Sequence, residues 1–153
     1  MPYWRLFYHL VWATKGRQPI LVDEAEATAS RVVHLVGDEV RVHVIAVGTM
    51  PDHIHVVASI PPSLSISDVV KTMKGRSSRL VNQDQGESAI VTFGWQREYS
   101  VHSFGDAVLP RVVDYVQHQP ERHARKDIWS KLEHINNGAE RSPETSPEGT
   151  SIG

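Results

Sequence analysis

Two histidines one residue apart are the first feature of this sequence that could do chemistry. His53 and His55 lie in the run HIHVVASI, residues 53–60, which is otherwise typical of a buried β-strand. Because side chains at i and i+2 of a strand point to the same face, the two imidazoles are predicted to lie side by side. Two such imidazoles supply half of a divalent metal site, and Asp52 could orient one ring. The alternative is two hydrogen-bonded histidines on the solvent face of a sheet.

A tyrosine one helical turn before a glutamine is the second such feature. Tyr115 and Gln119 lie in the stretch RVVDYVQHQ, so they stack on one face of a predicted helix. A phenol with a pKa of about 10 is a poor nucleophile at neutral pH, but a metal that polarises a phosphate beside it compensates the developing charge. Arg111, one turn earlier, would favour a phenolate or a phosphate there. The alternative is a tyrosine at the core edge with its hydroxyl in water.

The composition limits the kinds of metal site that are available. The chain has 153 residues and contains no cysteine, which excludes disulfide frameworks and thiolate metal sites. A metal site must then use histidine, carboxylate or amide ligands, and the sequence contains no H-E-x-x-H motif of a zinc hydrolase. With two histidines and one oxygen ligand, Mg²⁺ or Mn²⁺ with open coordination positions is favoured over structural zinc.

The charge of the chain limits how it could bind nucleic acid. The net charge is −2, whereas a duplex-DNA-binding protein is usually basic, so a broad cationic surface is not expected. The stretch KTMKGRSSR, residues 71–79, nevertheless carries four cations and no anion. These four, Lys71, Lys74, Arg76 and Arg79, are candidates for contacts to a nucleic-acid backbone, as is Arg111. The alternative is a solvated helix face.

The elements that must position these residues are predicted in the order β-α-β-β-α-β, followed by a further helix. Alternating and β-branched runs predict strands at 3–14, 41–49, 53–60 and 94–104, and apolar stripes predict helices at 23–37, 66–83 and 106–119. This order predicts an α+β fold, the ferredoxin-like split βαβ antiparallel sheet with helices on one face, plus a C-terminal helix that carries the tyrosine. Residues 136–153 are rich in serine, proline, glutamate and glycine and are predicted to be disordered.

Two local details follow from the same patterns. Asp23, with Glu26 three residues later, predicts a capping box at the start of the first helix. In the second strand Val42, Val44 and Ala46 alternate, so they are predicted to share a face. A short turn after this strand favours a hairpin with the strand that carries the histidine pair.

The histidine pair, followed about sixty residues later by YVQHQ, resembles the HUH single-tyrosine transposases. These are the enzymes of insertion sequences that move as single-stranded DNA, together with their REP-associated tyrosine transposase relatives. Five segments resemble the family's strands and helices, in order and at family spacing: FYHLVWATKGRQPIL, GTMPDHIHVVASIPP, VVKTMKGRSSRLV, FGWQREYSVHSFG and YVQHQPERHARK. The resemblance implies that residues 1–135 form an HUH transposase catalytic domain.

The resemblance also implies a mechanism. His53, His55 and Gln119 would hold Mg²⁺ or Mn²⁺ on a scissile phosphate, and Tyr115 would attack it, leaving a 5′-phosphotyrosine and a free 3′-hydroxyl. Because the energy of the phosphodiester is kept in the covalent link, strands could be rejoined without ATP. One departure concerns the glutamine: relatives often have an acidic residue after it, whereas this chain has Pro120, which disfavours helical geometry at Gln119.

The partners that the resemblance implies are single-stranded DNA with imperfect hairpins near the element's ends, and a second copy of the chain. In such homodimers the tyrosine helix of one subunit can complete the histidine pair of the other. With no signal peptide and no run of about 20 apolar residues, a cytoplasmic, nucleoid-associated protein without membrane contact is expected. Two alternatives stay open: a domesticated HUH nuclease acting on dispersed genomic palindromes, and a non-catalytic nucleic-acid-binding module.

Overall fold

The computed structural model describes residues 3–87 and 89–119, which contain four strands and three α-helices. The strands are β1 (Phe7–Ala13), β2 (His43–Met50), β3 (His53–Ser59) and β4 (Ser100–Phe104), and the helices are α1 (Asp23–Val40), α2 (Ile66–Gln85) and α3 (Leu109–Gln117). Short 3-10 turns at Lys15–Arg17 and Asp106–Val108 lie between β1 and α1 and directly before α3. The predicted tail 136–153 and the predicted domain end at residue 135 lie outside the described residues.

The four strands form one antiparallel sheet in the order β2-β3-β1-β4. On one face α1 and α2 bury the main core, in which Trp12 of β1 and Ile54 of β3 pack with Val32 of α1 and Met73 of α2. This architecture confirms the predicted ferredoxin-like α+β fold with a β2–β3 hairpin. Within residues 3–87 and 89–119, no helix combines the length and apolarity needed to cross a bilayer.

The opposite face of the sheet carries α3. Along β3, Ile54 and Val56 belong to the main core, whereas Val57 packs in a second cluster with Val112 and Val116 of α3. Because successive side chains of a strand point to opposite faces, both histidines of β3 lie on the same face as Val57. The histidine pair therefore lies on the face that α3 covers.

A β-bulge in β2 decides which of its residues face α3. The register of β2 against β3 shifts between Val44 and Ala46, so Ile45 is an extra residue that reverses the alternation. Val44 packs with the main core, whereas Ala46 packs with α3, and Gly48 follows Ala46 onto the α3 face. The prediction that Val42, Val44 and Ala46 share a face was therefore wrong, because simple alternation does not allow for a bulge.

Both β1 and β4 start later in the chain than predicted. In the predicted strand 94–104, Trp95 makes one isolated bridge to Thr14, the residue that follows β1. Regular pairing begins only with β4. The ammonium of Lys74 in α2 donates to the carbonyl oxygens of Arg97 at 3.0 Å and Glu98 at 3.4 Å. A side chain of α2 thus holds the backbone that leads into β4.

The start of α1 differs from the predicted capping box. The cap position is Val22, and no side chain bonds to the helix end there. Glu26 instead accepts a hydrogen bond from the hydroxyl of Thr49 in β2. Asp23 adopts a positive φ of 51°, which is the left-handed region and not the extended geometry of a capping residue. The predicted capping box was wrong because Glu26 has a tertiary partner.

Candidate active site

The two histidines of β3 lie side by side, as their spacing predicted. His53 is 2% exposed and His55 is 0% exposed, and their ring centroids are 5.0 Å apart. On β1 the residues opposite them are Ala13 and Val11, neither of which offers a polar side chain. The pair is therefore buried, and the alternative of two histidines on a solvent-exposed face does not describe this site.

Each histidine is held through the same ring nitrogen. Nδ1 of His53 lies 2.6 Å from Oδ1 of Asp52, and Nδ1 of His55 lies 2.8 Å from Nε2 of His9. With both Nδ1 atoms in hydrogen bonds, Nε2 is the nitrogen through which each ring could bind a metal. A carboxylate and a third imidazole thus orient the two candidate ligands.

Asp52 is itself fixed by the turn that follows β1. Arg17 donates from Nε and Nη2 to Oδ2 of Asp52, at 3.1 and 3.0 Å, and the backbone N–H of Thr14 donates to the carbonyl of Asp52 at 2.9 Å. Burial opposes ionisation of Asp52, but the hydrogen bonds that it accepts from His53 and Arg17 outweigh it, and its pKa lies below the ordinary value. Asp52 is therefore ionised at neutral pH, which suits a carboxylate that orients an imidazole through its N–H.

α3 brings Tyr115 to the histidine pair of the same chain. Val112 and Val116 form its apolar stripe and pack against β2 and β3. Tyr115 is 2% exposed, and the centroid of its ring lies 6.2 Å from that of His55, with the planes at 78°. A tyrosine buried to this extent does not fit the alternative of a ring at the core edge with its hydroxyl in bulk water.

The close approach of α3 depends on a residue without a side chain. A Cβ added to Gly48 would overlap the backbone carbonyl oxygen of Val116 and would lie 2.8 Å from its carbonyl carbon. A helix backbone cannot move aside at one atom, so a larger residue would displace the helix. Sequence analysis did not identify Gly48, although an isolated glycine in a β-branched strand is a signal of close backbone approach.

Gln119 lies just beyond the end of α3 and is fully buried. Its Nε2 donates to the carbonyl oxygen of Tyr115 at 3.1 Å, so Oε1 is the amide atom that a cation would use. Two imidazoles and one amide oxygen form a donor set of the kind that suits Mg²⁺ or Mn²⁺ with open positions. Within the described part of the chain, no three histidine, aspartate or glutamate side chains are grouped as a metal site.

Four of the five predicted phosphate-binding cations do not come together with the histidines. Arg111 is exposed on α3, but the four cations of residues 71–79 lie on α2, which packs on the opposite face of the sheet. A phosphate at the histidine pair could therefore not contact the α2 cations at the same time. If these cations bind DNA, they bind a different part of the strand.

The four cations of α2 also differ from one another. Arg76 pairs with Glu39 of α1, and this hydrogen bond lowers the pKa of Glu39. Lys74 is tied to the backbone before β4, and its burial lowers its pKa. Lys71 and Arg79 are exposed and line a shallow depression along the helix. The last two are thus the cations of this group that remain best placed for a phosphate.

A ferredoxin-like sheet with a buried histidine pair and a tyrosine helix across it is the arrangement expected from the resemblance to single-tyrosine transposases. The family model described as IS200-like transposase, Y1_Tnp, matches residues 2–119. This match covers most of the chain, so the protein belongs to the IS200-like transposase family. The resemblance to HUH single-tyrosine transposases is thereby confirmed.

Two relatives show how far the similarity extends. The chain is 26% identical over 122 residues to the ISDra2 transposase TnpA of Deinococcus radiodurans, a match that covers 78% of this chain and 87% of that protein. It is 27% identical over 121 residues to the transposase for insertion sequence element IS200 of Salmonella typhimurium, covering 77% of this chain and 79% of the relative. Each match thus covers more than three quarters of this chain and of the relative.

Solved structures show the same architecture. A crystal structure of a transposase from Deinococcus radiodurans R1 aligns with a TM-score of 0.60 and 26% identity, covering 78% of this chain and 95% of that one. A REP-associated tyrosine transposase bound to a REP hairpin aligns with a TM-score of 0.57 and 17% identity, covering 80% and 74%. The second likeness, at its lower identity, shows a shared fold.

Proposed function

We propose that this transposase cleaves and rejoins single-stranded DNA at the ends of its element through a covalent bond to Tyr115. The observation that carries the proposal is the contact between two elements. α3 places a buried tyrosine 6.2 Å, centroid to centroid, from His55, beside a donor set that suits a divalent cation. Membership of the IS200-like transposase family supplies DNA as the substrate class.

The proposed step is an exchange of one phosphoester for another. The phenolic oxygen of Tyr115 forms a bond to the scissile phosphorus while the bond from phosphorus to the 3′ oxygen breaks. The phenol loses its proton, and the leaving 3′ oxygen takes one up, so a 5′-phosphotyrosine and a 3′-hydroxyl result. Because one phosphoester replaces another, attack by a 3′-hydroxyl reverses the step and needs no nucleotide cofactor.

The residues around the tyrosine have separable roles in this proposal. His53 and His55, each oriented through Nδ1, would hold Mg²⁺ or Mn²⁺ together with Gln119. When bound, the cation would polarise the phosphate and offset the charge that develops on it. Arg111, one turn before Tyr115 and exposed on α3, is a candidate for contact with the phosphate next to the cleaved one.

The substrate we propose is a single strand that carries an imperfect hairpin. A structural relative was solved bound to a REP hairpin, which supports a hairpin as the recognised form. The net charge of −2 supports recognition through shape and a few contacts. We place the hairpin contacts at Lys71 and Arg79, with Lys74 and Arg76 as their neighbours, on the face away from cleavage.

The first test of the function is metal-dependent attachment of the protein to DNA. A labelled single strand spanning the DNA next to the gene should form a covalent adduct with Mn²⁺ or Mg²⁺ and none with EDTA. His53→Ala should lower the rate of adduct formation by at least about 100-fold, since a ligand matters no less than the groups that orient it. The matched control is His43→Ala, an exposed strand histidine, which should leave the rate unchanged.

The same assay separates the alternative functions. A non-catalytic binding module would bind the strand equally with EDTA or with His53→Ala and would form no adduct with any metal. A domesticated nuclease would form the adduct on dispersed genomic palindromes but not on the DNA that flanks its own gene. Either result would remove the proposal of an active transposase.

One chain by itself brings the proposed nucleophile to the histidine pair. α3 packs on the sheet of its own chain, so a homodimer, which stays a prediction, is not needed to bring Tyr115 to His55. When a His53→Ala chain and a Tyr115→Phe chain are produced together with different tags, we expect no adduct on either. If the histidine-deficient chain becomes attached to DNA, the tyrosine of one chain serves the histidines of the other, and assembly within one chain is wrong.

A further inference from the structure

One histidine on the α3 face is neither a proposed metal ligand nor the proposed nucleophile. His9 of β1 is 0% exposed, and its Nε2 lies 2.8 Å from Nδ1 of His55. The ring planes differ by only 15°, and the centroids are 5.0 Å apart. A nitrogen-to-nitrogen distance of 2.8 Å is too short for rings stacked face to face, so the two imidazoles lie edge to edge with a hydrogen bond between them.

This hydrogen bond ties the proton position of His55 to its ability to bind a metal. Between two ring nitrogens only one carries the shared proton. If Nδ1 of His55 carries it and His9 accepts, Nε2 of His55 offers its lone pair to a cation. If His9 carries it, a neutral His55 has its own proton on Nε2 and cannot be a ligand through that atom. The direction of the hydrogen bond therefore decides whether His55 can bind a metal through Nε2.

His9 is placed to orient His55, because its Nε2 is directed at Nδ1 of that ring. Within residues 3–87 and 89–119, no three histidine and carboxylate side chains are grouped as a metal site. On its other side the ring of His9 lies 6.3 Å from that of His102, its partner on β4. The ring is thus held between two strands that flank β1.

We propose that His9 is a positioning residue of the metal site. It accepts the hydrogen bond from Nδ1 of His55 and so fixes Nε2 of His55 as the metal-binding nitrogen. The inference rests on the proposed function, because it gives His55 the role of a ligand. It adds a partner for His55 that is equivalent to Asp52 for His53, so that both candidate ligands are fixed through the same atom.

The direction of the bond is measurable without metal or DNA. Long-range ¹H–¹⁵N correlation spectra of protein with ¹⁵N-labelled histidine report which ring nitrogen carries the proton, and comparison with His55→Ala assigns the signals. We expect His55 to carry its proton on Nδ1 in the native protein. A His55 protonated on Nε2 would overturn the inference, whether or not the protein forms an adduct with DNA.

Two substitutions of similar size separate the hydrogen bond from packing. His9→Leu fills the space without an acceptor, whereas His9→Gln carries an amide oxygen that can reach the position of Nε2. We expect His9→Leu to move the proton of His55 towards Nε2 and to weaken Mn²⁺ binding, measured by electron paramagnetic resonance of free Mn²⁺, by about 10- to 100-fold. His9→Gln should restore most of the affinity, and His43→Ala should not change it.

The possible outcomes distinguish failure of the role of His9 from failure of the proposed function. Equal Mn²⁺ affinity in the native protein and His9→Leu, or equal losses in His9→Leu and His9→Gln, would overturn the role of His9. Absence of Mn²⁺ binding and of adduct in the native protein would instead overturn the proposed function, with the proton position of His55 still to be read from the spectra. Thermal melting of His9→Leu and His9→Gln shows whether both variants are folded under the conditions of the Mn²⁺ measurement.

Discussion

Replacing Tyr115 with phenylalanine is expected to abolish the covalent adduct with DNA while leaving DNA binding within about twofold of the native protein. Phenylalanine keeps the ring that packs between α3 and the sheet, beside His55. It removes only the hydroxyl that would attack the phosphate. Because the nucleophile acts as a unit with the metal ligands, the loss should be at least about 10³-fold in the rate of adduct formation.

Tyr8→Phe is the matched control for this prediction. Tyr8 is half-buried against the main core, on the face of the sheet away from the histidines. Adduct formation is measured with an end-labelled strand on a denaturing gel, and binding by mobility shift. An adduct that persists in Tyr115→Phe and disappears in Tyr8→Phe would show that the nucleophile is assigned to the wrong tyrosine.

Gly48→Ala is expected to have the second-largest effect, although it changes no reactive group. The added methyl would overlap the backbone of Val116, so α3 must shift away from the sheet and take Tyr115 with it. Overpacking of this kind costs about 1–3 kcal/mol of stability. We expect a lower melting temperature together with at least about a tenfold slower adduct formation, since small misplacements of a reacting group are costly.

Gly75→Ala is the control, because it adds the same methyl in α2 where nothing lies within 4 Å. A helix-interior alanine in place of glycine stabilises by roughly 0.5–1 kcal/mol, so this variant should melt at a higher temperature and react at the native rate. If Gly48→Ala also keeps the native rate, the position of α3 against β2 is not what sets the geometry of the site.

The fold could be predicted from the sequence because it depends on patterns that are local. Alternation along β3 and the apolar stripes of α1 and α2 gave the correct element order and placed His53 and His55 on one face. A hairpin turn at Pro51 fixed the antiparallel pairing of β2 with β3, and short connections then leave few topologies. The spacing of Tyr115 and Gln119 along a helix predicted that both would face the sheet, and both are buried.

Features that depend on contacts distant in the sequence could not be predicted in this way. His9 and His55 are 46 residues apart, and only the pairing register of β1 with β3 brings their rings together. The β-bulge at Ile45 turns Gly48 towards α3, whereas unbroken alternation would have turned it towards the main core. Both features follow from which strands pair and where their register shifts. Neither leaves a sign in the local pattern of apolar and polar residues.

The cations of α2 show a second kind of feature that could not be predicted from the sequence. The run KTMKGRSSR predicts a cationic helix surface, but residue spacing does not reveal which face of the sheet the helix covers. The structure places that helix on the face away from the histidine pair, and it pairs Arg76 with an acidic residue of α1. The predicted DNA contacts thus belong to a surface separate from the proposed cleavage site.

Identifying the residue to which cleaved DNA is attached tests the proposed chemistry most directly. A single strand is incubated with the native protein and Mn²⁺, the adduct is digested with protease and nuclease, and the modified peptide is sequenced by mass spectrometry. We predict a nucleotide joined through its 5′ phosphate to Tyr115. Attachment to any other residue, or cleavage that leaves no nucleotide on the protein, would contradict it.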